Sequence, residues 1–97
     1  MRFEWDEAKN RNLAKHGITF ETAKLVFEDP HALSIEDRVV EGEERWQTLG
    51  MIGGVIVLMV AHIYREEDGE EVIRMISARK ATRREGRTYE EARKKSA

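Results

Sequence analysis

The segment Arg74-Met75-Ile76-Ser77-Ala78-Arg79-Lys80-Ala81-Thr82-Arg83-Arg84-Glu85 gathers the residue types that handle phosphate. Arginines and a lysine stand where a β-type run passes into a helix start. The first turn of a helix adds unpaired N–H groups and a partial positive charge, so such a junction is a natural anion site. Arg83 and Arg84 fall at the helix end where the dipole disfavours cations, and a purely structural helix would prefer acids there. Along a regular strand the side chains alternate. Ser77 and Arg79 then point one way and Arg74, Ile76 and Ala78 the other, and Arg74 and Arg79 reach one phosphate only if a bulge intervenes. His62 is the second candidate. It ends an apolar run on the strand expected to pair with residues 72–79, where an imidazole can titrate near neutral pH and move a proton. The plainer reading is a packed core histidine with a backbone hydrogen bond, and spacing alone favours it.

The charge of the chain is divided. Its 97 residues carry a net charge of −2, but residues 1–71 hold 8 Lys/Arg against 16 Asp/Glu, whereas residues 72–97 hold 9 against 3. A basic end of this kind meets phosphate, an acidic partner, or its own acidic half. The length is that of one small domain, 1–97, with a modest core. The longest apolar run, residues 55–61, falls far short of the ~20 residues of a membrane span. The N-terminus has no apolar signal segment, so a cytoplasmic location is expected. There are no cysteines, which removes disulfides and thiolate chemistry. His16, His31 and His62 lie too far apart in sequence for the usual close ligand pairs of a zinc site, and the acidic turn at 66–71 lacks the pattern of a calcium loop, so no metal or cofactor is expected.

The elements that must position these residues read as follows. Arg2 to Trp5 alternates as a short strand. Asp6 caps a helix running to about His16, with Gly17 just past its end. Thr19 caps a second helix whose apolar face is Phe20, Ala23, Val26 and Phe27, ending near Glu28 before Pro30. Residues 32–36 form a short strand. Residues 45–52 form another, with Trp46, Thr48, Gly50 and Ile52 on one face and Arg45, Gln47, Leu49 and Met51 on the other. Gly53-Gly54 is a two-residue hairpin turn, residues 55–64 a central strand apolar on both faces, and residues 72–79 the last strand. Thr82 and Glu85 form a capping box for the final helix, and Thr88-Tyr89-Glu90-Glu91 offers a second start beyond Gly86. The order β-α-α-β-β-β-β-α is an α+β domain with a mostly antiparallel sheet. Trp5, Trp46, Phe20 and Phe27 fit buried faces better than a base-stacking platform.

Several blocks occur in one order: Phe3-Glu4-Trp5-Asp6 with Lys9, Asn12 and Leu13; Lys15-His16-Gly17-Ile18-Thr19-Phe20-Glu21; Glu41-Gly42-Glu43-Glu44-Arg45; His62; and Arg74 to Glu85. Together they resemble the BrnT family of bacterial type II toxins, over nearly the whole chain. The resemblance implies a RelE-like fold and a ribonuclease that slows translation. It also implies an antitoxin partner, BrnA, with a ribbon-helix-helix DNA-binding part, in a complex that represses its own promoter. DNA is then met only through the antitoxin, and an assembly of two toxins with two antitoxins, or a larger one, is the expectation.

On that reading the protein is a metal-independent endoribonuclease. RNA supplies its own 2′-hydroxyl nucleophile, and the protein supplies proton transfer and cations for the phosphorane-like transition state. Arg79 and Lys80 are assigned to the phosphate, Arg74 or Arg45 to a flanking phosphate, and His62 to proton transfer. Ser77 orients a phosphate oxygen or satisfies a strand edge, and Arg83 and Arg84 add to RNA binding. The Lys15-His16 pair is first a helix-end feature and, by the resemblance, a second rim of the RNA or antitoxin surface. The alternative is a non-catalytic binding module that uses the same residues as a co-repressor with its partner. Direct DNA binding by the last helix is disfavoured, because no helix-turn-helix precedes it and pairs such as Glu90–Lys94 explain its charge as a solvated face.

Overall fold

The computed structural model describes residues 1–95. Strand β1 (Arg2–Glu4) is followed by helix α1 (Glu7–Ala14), helix α2 (Phe20–Ala23) and a 3-10 segment (Lys24–Glu28). Strands β2 (Leu33–Val40), β3 (Glu43–Ile52), β4 (Ile56–Glu67) and β5 (Glu70–Lys80) come next, and helix α3 (Arg83–Lys95) is the last element of the described residues. The five strands form one sheet in the order β1-β5-β4-β3-β2. β1 runs parallel to β5 and the other pairings are antiparallel. The α+β class and the element order are those read from the sequence.

Local chemistry sets the element ends. The Asp6 carboxylate accepts from the Ala8 and Lys9 N–H groups, and the Thr19 hydroxyl from Thr22 N–H; both satisfy donors that a helix start leaves unpaired. Thr82 and Glu85 close a reciprocal capping box: Glu85 N–H donates to Thr82 Oγ1 at 3.1 Å and Thr82 N–H to Glu85 Oε1 at 2.9 Å. α3 therefore starts there and runs on through Gly86. The second capping box is not formed, because Thr88 Oγ1 donates back to the Arg84 carbonyl at 3.2 Å. Gly53 and Gly54 both take positive φ (62° and 70°), which glycine allows, but Ile52 pairs with Ile56, so the hairpin loop is residues 53–55 rather than the two-residue turn expected.

One face of the sheet is closed. α1, α2 and the 3-10 segment bury Phe20, Ala23 and Val26 against Leu58, Val60, Ile73, Met75 and Ala78. The fit is tight at Gly50, where a Cβ would lie 2.6 Å from Val26 Cγ1 and 2.8 Å from the Val26 carbonyl oxygen. Asn10, although polar, is buried: its Oδ1 accepts from Phe20 N–H at 2.8 Å and its Nδ2 donates to Glu21 at 2.9 Å, tying α1 to the start of α2. The other face carries a smaller cluster in which Tyr89 of α3 packs on Leu49 and Met59. α3 is fastened around the sheet end by Asp29, whose Oδ2 accepts from Tyr89 Oη at 2.5 Å and from Met51 N–H at 2.8 Å. Burial and that bond push the Tyr89 hydroxyl up to about 12. Burial alone would raise Asp29, but its three donors outweigh it and hold the carboxyl below its ordinary value.

The structure corrects the alternation expected in β5. Ala61 pairs with Ser77, but its neighbour His62 pairs with Met75, so Ile76 is an extra residue on β5. Such a bulge shifts the side-chain parity by one. Ile73 and Met75 lie in the closed core before it and Ala78 after it. Arg74, Ser77 and Arg79 therefore share the opposite face, where a regular strand would have separated Arg74 from the other two.

Candidate phosphate-binding face

The register places the candidate residues row by row. Arg79 pairs with Met59 and Met59 with Leu49, beside Tyr89. In the next row Ser77 pairs with Ala61 and Ala61 with Gln47. In the next, Glu4 pairs with Arg74 and Arg74 with Ile63, and strand alternation from Gln47 puts Arg45 on the same face. Arg65 of β4 belongs to this face too and was not singled out from the sequence. The shared surface sets arginines around the small side chains of Ser77 and Ala61, with Glu4 and Glu85 among them, and α3 covers one end of it.

Arg79, Arg65 and Arg74 each have a carboxylate that orients them. Arg79 Nη1 and Nη2 hold Glu85 Oε1 and Oε2 at 2.7 and 3.0 Å, and Nη1 also reaches the Lys80 carbonyl at 3.2 Å. The Arg79 fork, helped by Thr82 N–H, holds Glu85 down to about 2; Glu85 in turn keeps Arg79 protonated more firmly. Glu4 takes Arg65 and, at 3.5 Å, Arg74. The Arg74 and Arg79 side chains remain 39% and 46% exposed, within reach of a ligand. Arg45 differs: its Nε is buried and has no hydrogen-bond partner among the described residues.

Three expected members stand apart from this face. Lys80 pairs with Leu58, a residue of the closed core, so its exposed side chain starts from the other side of β5. Arg83 and Arg84 are exposed in the first turn of α3. His62 is 0% exposed. It lies on the closed face, with its Nε2 2.7 Å from Thr48 Oγ1 and its ring edge-on to Phe27 and Tyr64 at 5.0 and 4.9 Å. Burial lowers its pKa to about 4. It is a neutral core histidine, on the far side of the sheet from Arg79, and nothing in that position lets it reach a phosphate held by Arg79. The hydrogen bond of the plainer reading goes to a side chain rather than to the backbone. Among the described residues no three His, Asp or Glu side chains come together as a metal site, and no helix is long and apolar enough to cross a membrane.

The molecule is thus an α+β domain that leaves one arginine-lined sheet face partly open. Comparison with known proteins gives the class a name. Residues 5–85 match the family described as the ribonuclease toxin, BrnT, of type II toxin–antitoxin systems, and the chain belongs to that family. Among solved structures it is similar to the Brucella abortus ribonuclease toxin BrnT, at 32% identity and a TM-score of 0.63, over 86% of this chain and 99% of that one. No match is found among curated proteins.

Proposed function

We propose that this chain is a metal-independent endoribonuclease that inhibits translation, working from the open sheet face and held in check by a BrnA-like antitoxin. The observation that carries the reading is the bulge at Ile76, which sets Arg74, Ser77 and Arg79 on one face with Arg45. In the reaction the RNA 2′-oxygen bonds to the adjacent phosphorus and the bond from phosphorus to the 5′-oxygen breaks. The 2′-hydroxyl gives its proton to water and the 5′-oxygen takes one from water. Charge builds on the phosphoryl oxygens, and fixed guanidinium donors stabilise it; one such donor is worth roughly 10²–10³-fold in rate. Arg79 meets the scissile phosphate through the N–H groups that Glu85 leaves free, Arg74 and Arg45 meet a flanking one, and the Ser77 hydroxyl orients a phosphate oxygen. Lys80, Arg83 and Arg84 extend the cationic track around the β5–α3 junction. Proton transfer is not assigned to His62, because it is enclosed on the other face.

A second reading has an observation in its favour. Arg79 and Arg74 are already paired with carboxylates of their own fold, as a co-repressor that only binds its partner would allow. Partner-free protein incubated with RNA, with and without chelator, separates the two. The ribonuclease reading expects cleavage in both samples, lost in Arg79→Ala. Tight antitoxin binding with intact RNA establishes the co-repressor, and cleavage lost only on chelation ends the metal-free mechanism.

A further inference from the structure

A cavity of about 300 Å³ lies between the end of α1 and the outer edge of β5, lined by Leu13, His16, Ile18, Ala78, Arg79 and Lys80. Its origin is topological. β1 pairs with β5 only at Val72, Ile73 and Arg74, so beyond Met75 the outer edge of β5 has no neighbouring strand. α1 stops at Ala14, and the chain turns back past that open edge. Leu13 and Ile18 are packed against the core, which makes the apolar wall a fixed one.

We infer that this cavity is a nucleobase subsite, taking the base of the RNA nucleotide next to the phosphate at Arg79. The inference rests on the ribonuclease reading for its choice of ligand. The lining divides into an apolar part (Leu13, Ile18, Ala78) and a nitrogen-bearing part (His16, Arg79, Lys80), and no lining residue is a carboxylate. An acidic side chain would satisfy the rim and leave the apolar wall bare. An apolar side chain would fill the wall and leave the Lys80 ammonium unanswered, since Arg79 already holds Glu85. A nucleotide supplies both a flat ring with apolar faces and a phosphate. His16 can stack on the ring, as aromatic side chains do on bases, and an open strand edge offers main-chain N–H and C=O groups to the polar rim of a base. Arg79 belongs to both places: it stands on the open face in register with Met59 and also lines this cavity. RNA would thus cross the β5 edge, with phosphate on one side and base on the other, and the subsite would set which nucleotide flanks the cut.

Amide chemical shifts of the full chain test this, titrated separately with the four nucleoside 3′-monophosphates, inorganic phosphate and N-acetylphenylalaninamide. The expected result is shifts at Leu13–Ile18 and Ala78–Lys80 with the nucleotides, one base preferred, while phosphate moves only Arg79 and its neighbours and leaves Leu13–Ile18 unshifted. His16→Ala should then raise KM for RNA carrying that base roughly 5-fold or more, the low end of a stacking contact, with kcat little changed. Equal shifts at Leu13–Ile18 from inorganic phosphate overturn the subsite, and shifts there from the phenylalanine amide alone reassign the cavity to a protein partner. A chain that cleaves RNA but shows no nucleotide shifts and tolerates His16→Ala loses the subsite and keeps its ribonuclease reading. One that binds nucleotides there and leaves RNA intact keeps the subsite and loses the ribonuclease.

Discussion

On the closed face of the sheet, His62 is enclosed and neutral, sharing one ring nitrogen with Thr48, which in turn contacts Ser34 at 2.8 Å. On the open face, Arg74 and Arg79 keep their charge, stay partly solvated and are aimed by Glu4 and Glu85. Both sets are polar, and both stand on the paired strands β3, β4 and β5, within a few rows of one another. The difference is what covers them. Helices and aromatic rings over His62 remove water and with it the charged state, whereas charge survives on the face that α3 covers only at one end. A histidine in a strand is therefore not a proton shuttle because of its type; solvent access and the face it occupies decide.

This contrast can be broken most forcefully from the closed side. His62→Ala removes a fully buried ring from between Phe27 and Tyr64 and should cost about 3 kcal/mol of stability, in the range of large-to-small core substitutions; urea unfolding reads it, and cleavage per folded molecule should stay near wild type. Acidification should do nearly as much. With the folded pKa of His62 depressed from 6.5 to about 4, the unfolded chain binds the proton first. The stabilisation is thus complete above pH 6.5 and is lost as pH falls toward 4, by about 3 kcal/mol in all. Unfolding free energies across that window should slope accordingly, and His62→Gln should flatten the slope. Gly50→Ala, which drives a methyl onto the Val26 backbone, should cost about 1–3 kcal/mol, visible as a lowered urea midpoint with RNA cleavage retained.

The open side responds more weakly in stability. Glu85→Ala loses both the cap and the partner of Arg79 and should cost about 1 kcal/mol. Glu85→Gln preserves the capping box and should stay near wild type in thermal unfolding while weakening the hold on Arg79. If the two variants unfold alike, the cap contributes nothing and the role given to Glu85 is wrong.

Much of the fold was legible in the sequence because its signals are local. The caps at Asp6, Thr19 and Thr82, the Gly53-Gly54 turn and the faces of β3 each depend on a few adjacent residues. Where boundaries shifted, tertiary contact decided. α1 stops at Ala14 rather than His16, and the second helix tightens into a 3-10 turn after Ala23, where Val26 closes onto Gly50. β2 extends to Val40 across an irregularity of its own. The site was half legible. Residue types flagged Arg74, Ser77 and Arg79, and Arg45 sits in the same register, but the bulge that unites them is a property of β4 and β5 together and leaves no mark in one strand's sequence. Asn10 and Asp29 were missed for the same reason: their partners lie 10 to 60 residues away.

The most direct measurement compares Arg79→Ala and His62→Gln in one single-turnover RNA cleavage assay, each normalised to folded protein. The open face as the reacting surface predicts a fall of roughly 10²-fold or more for Arg79→Ala and little change for His62→Gln. Undiminished cleavage by Arg79→Ala, with loss in His62→Gln, would contradict it.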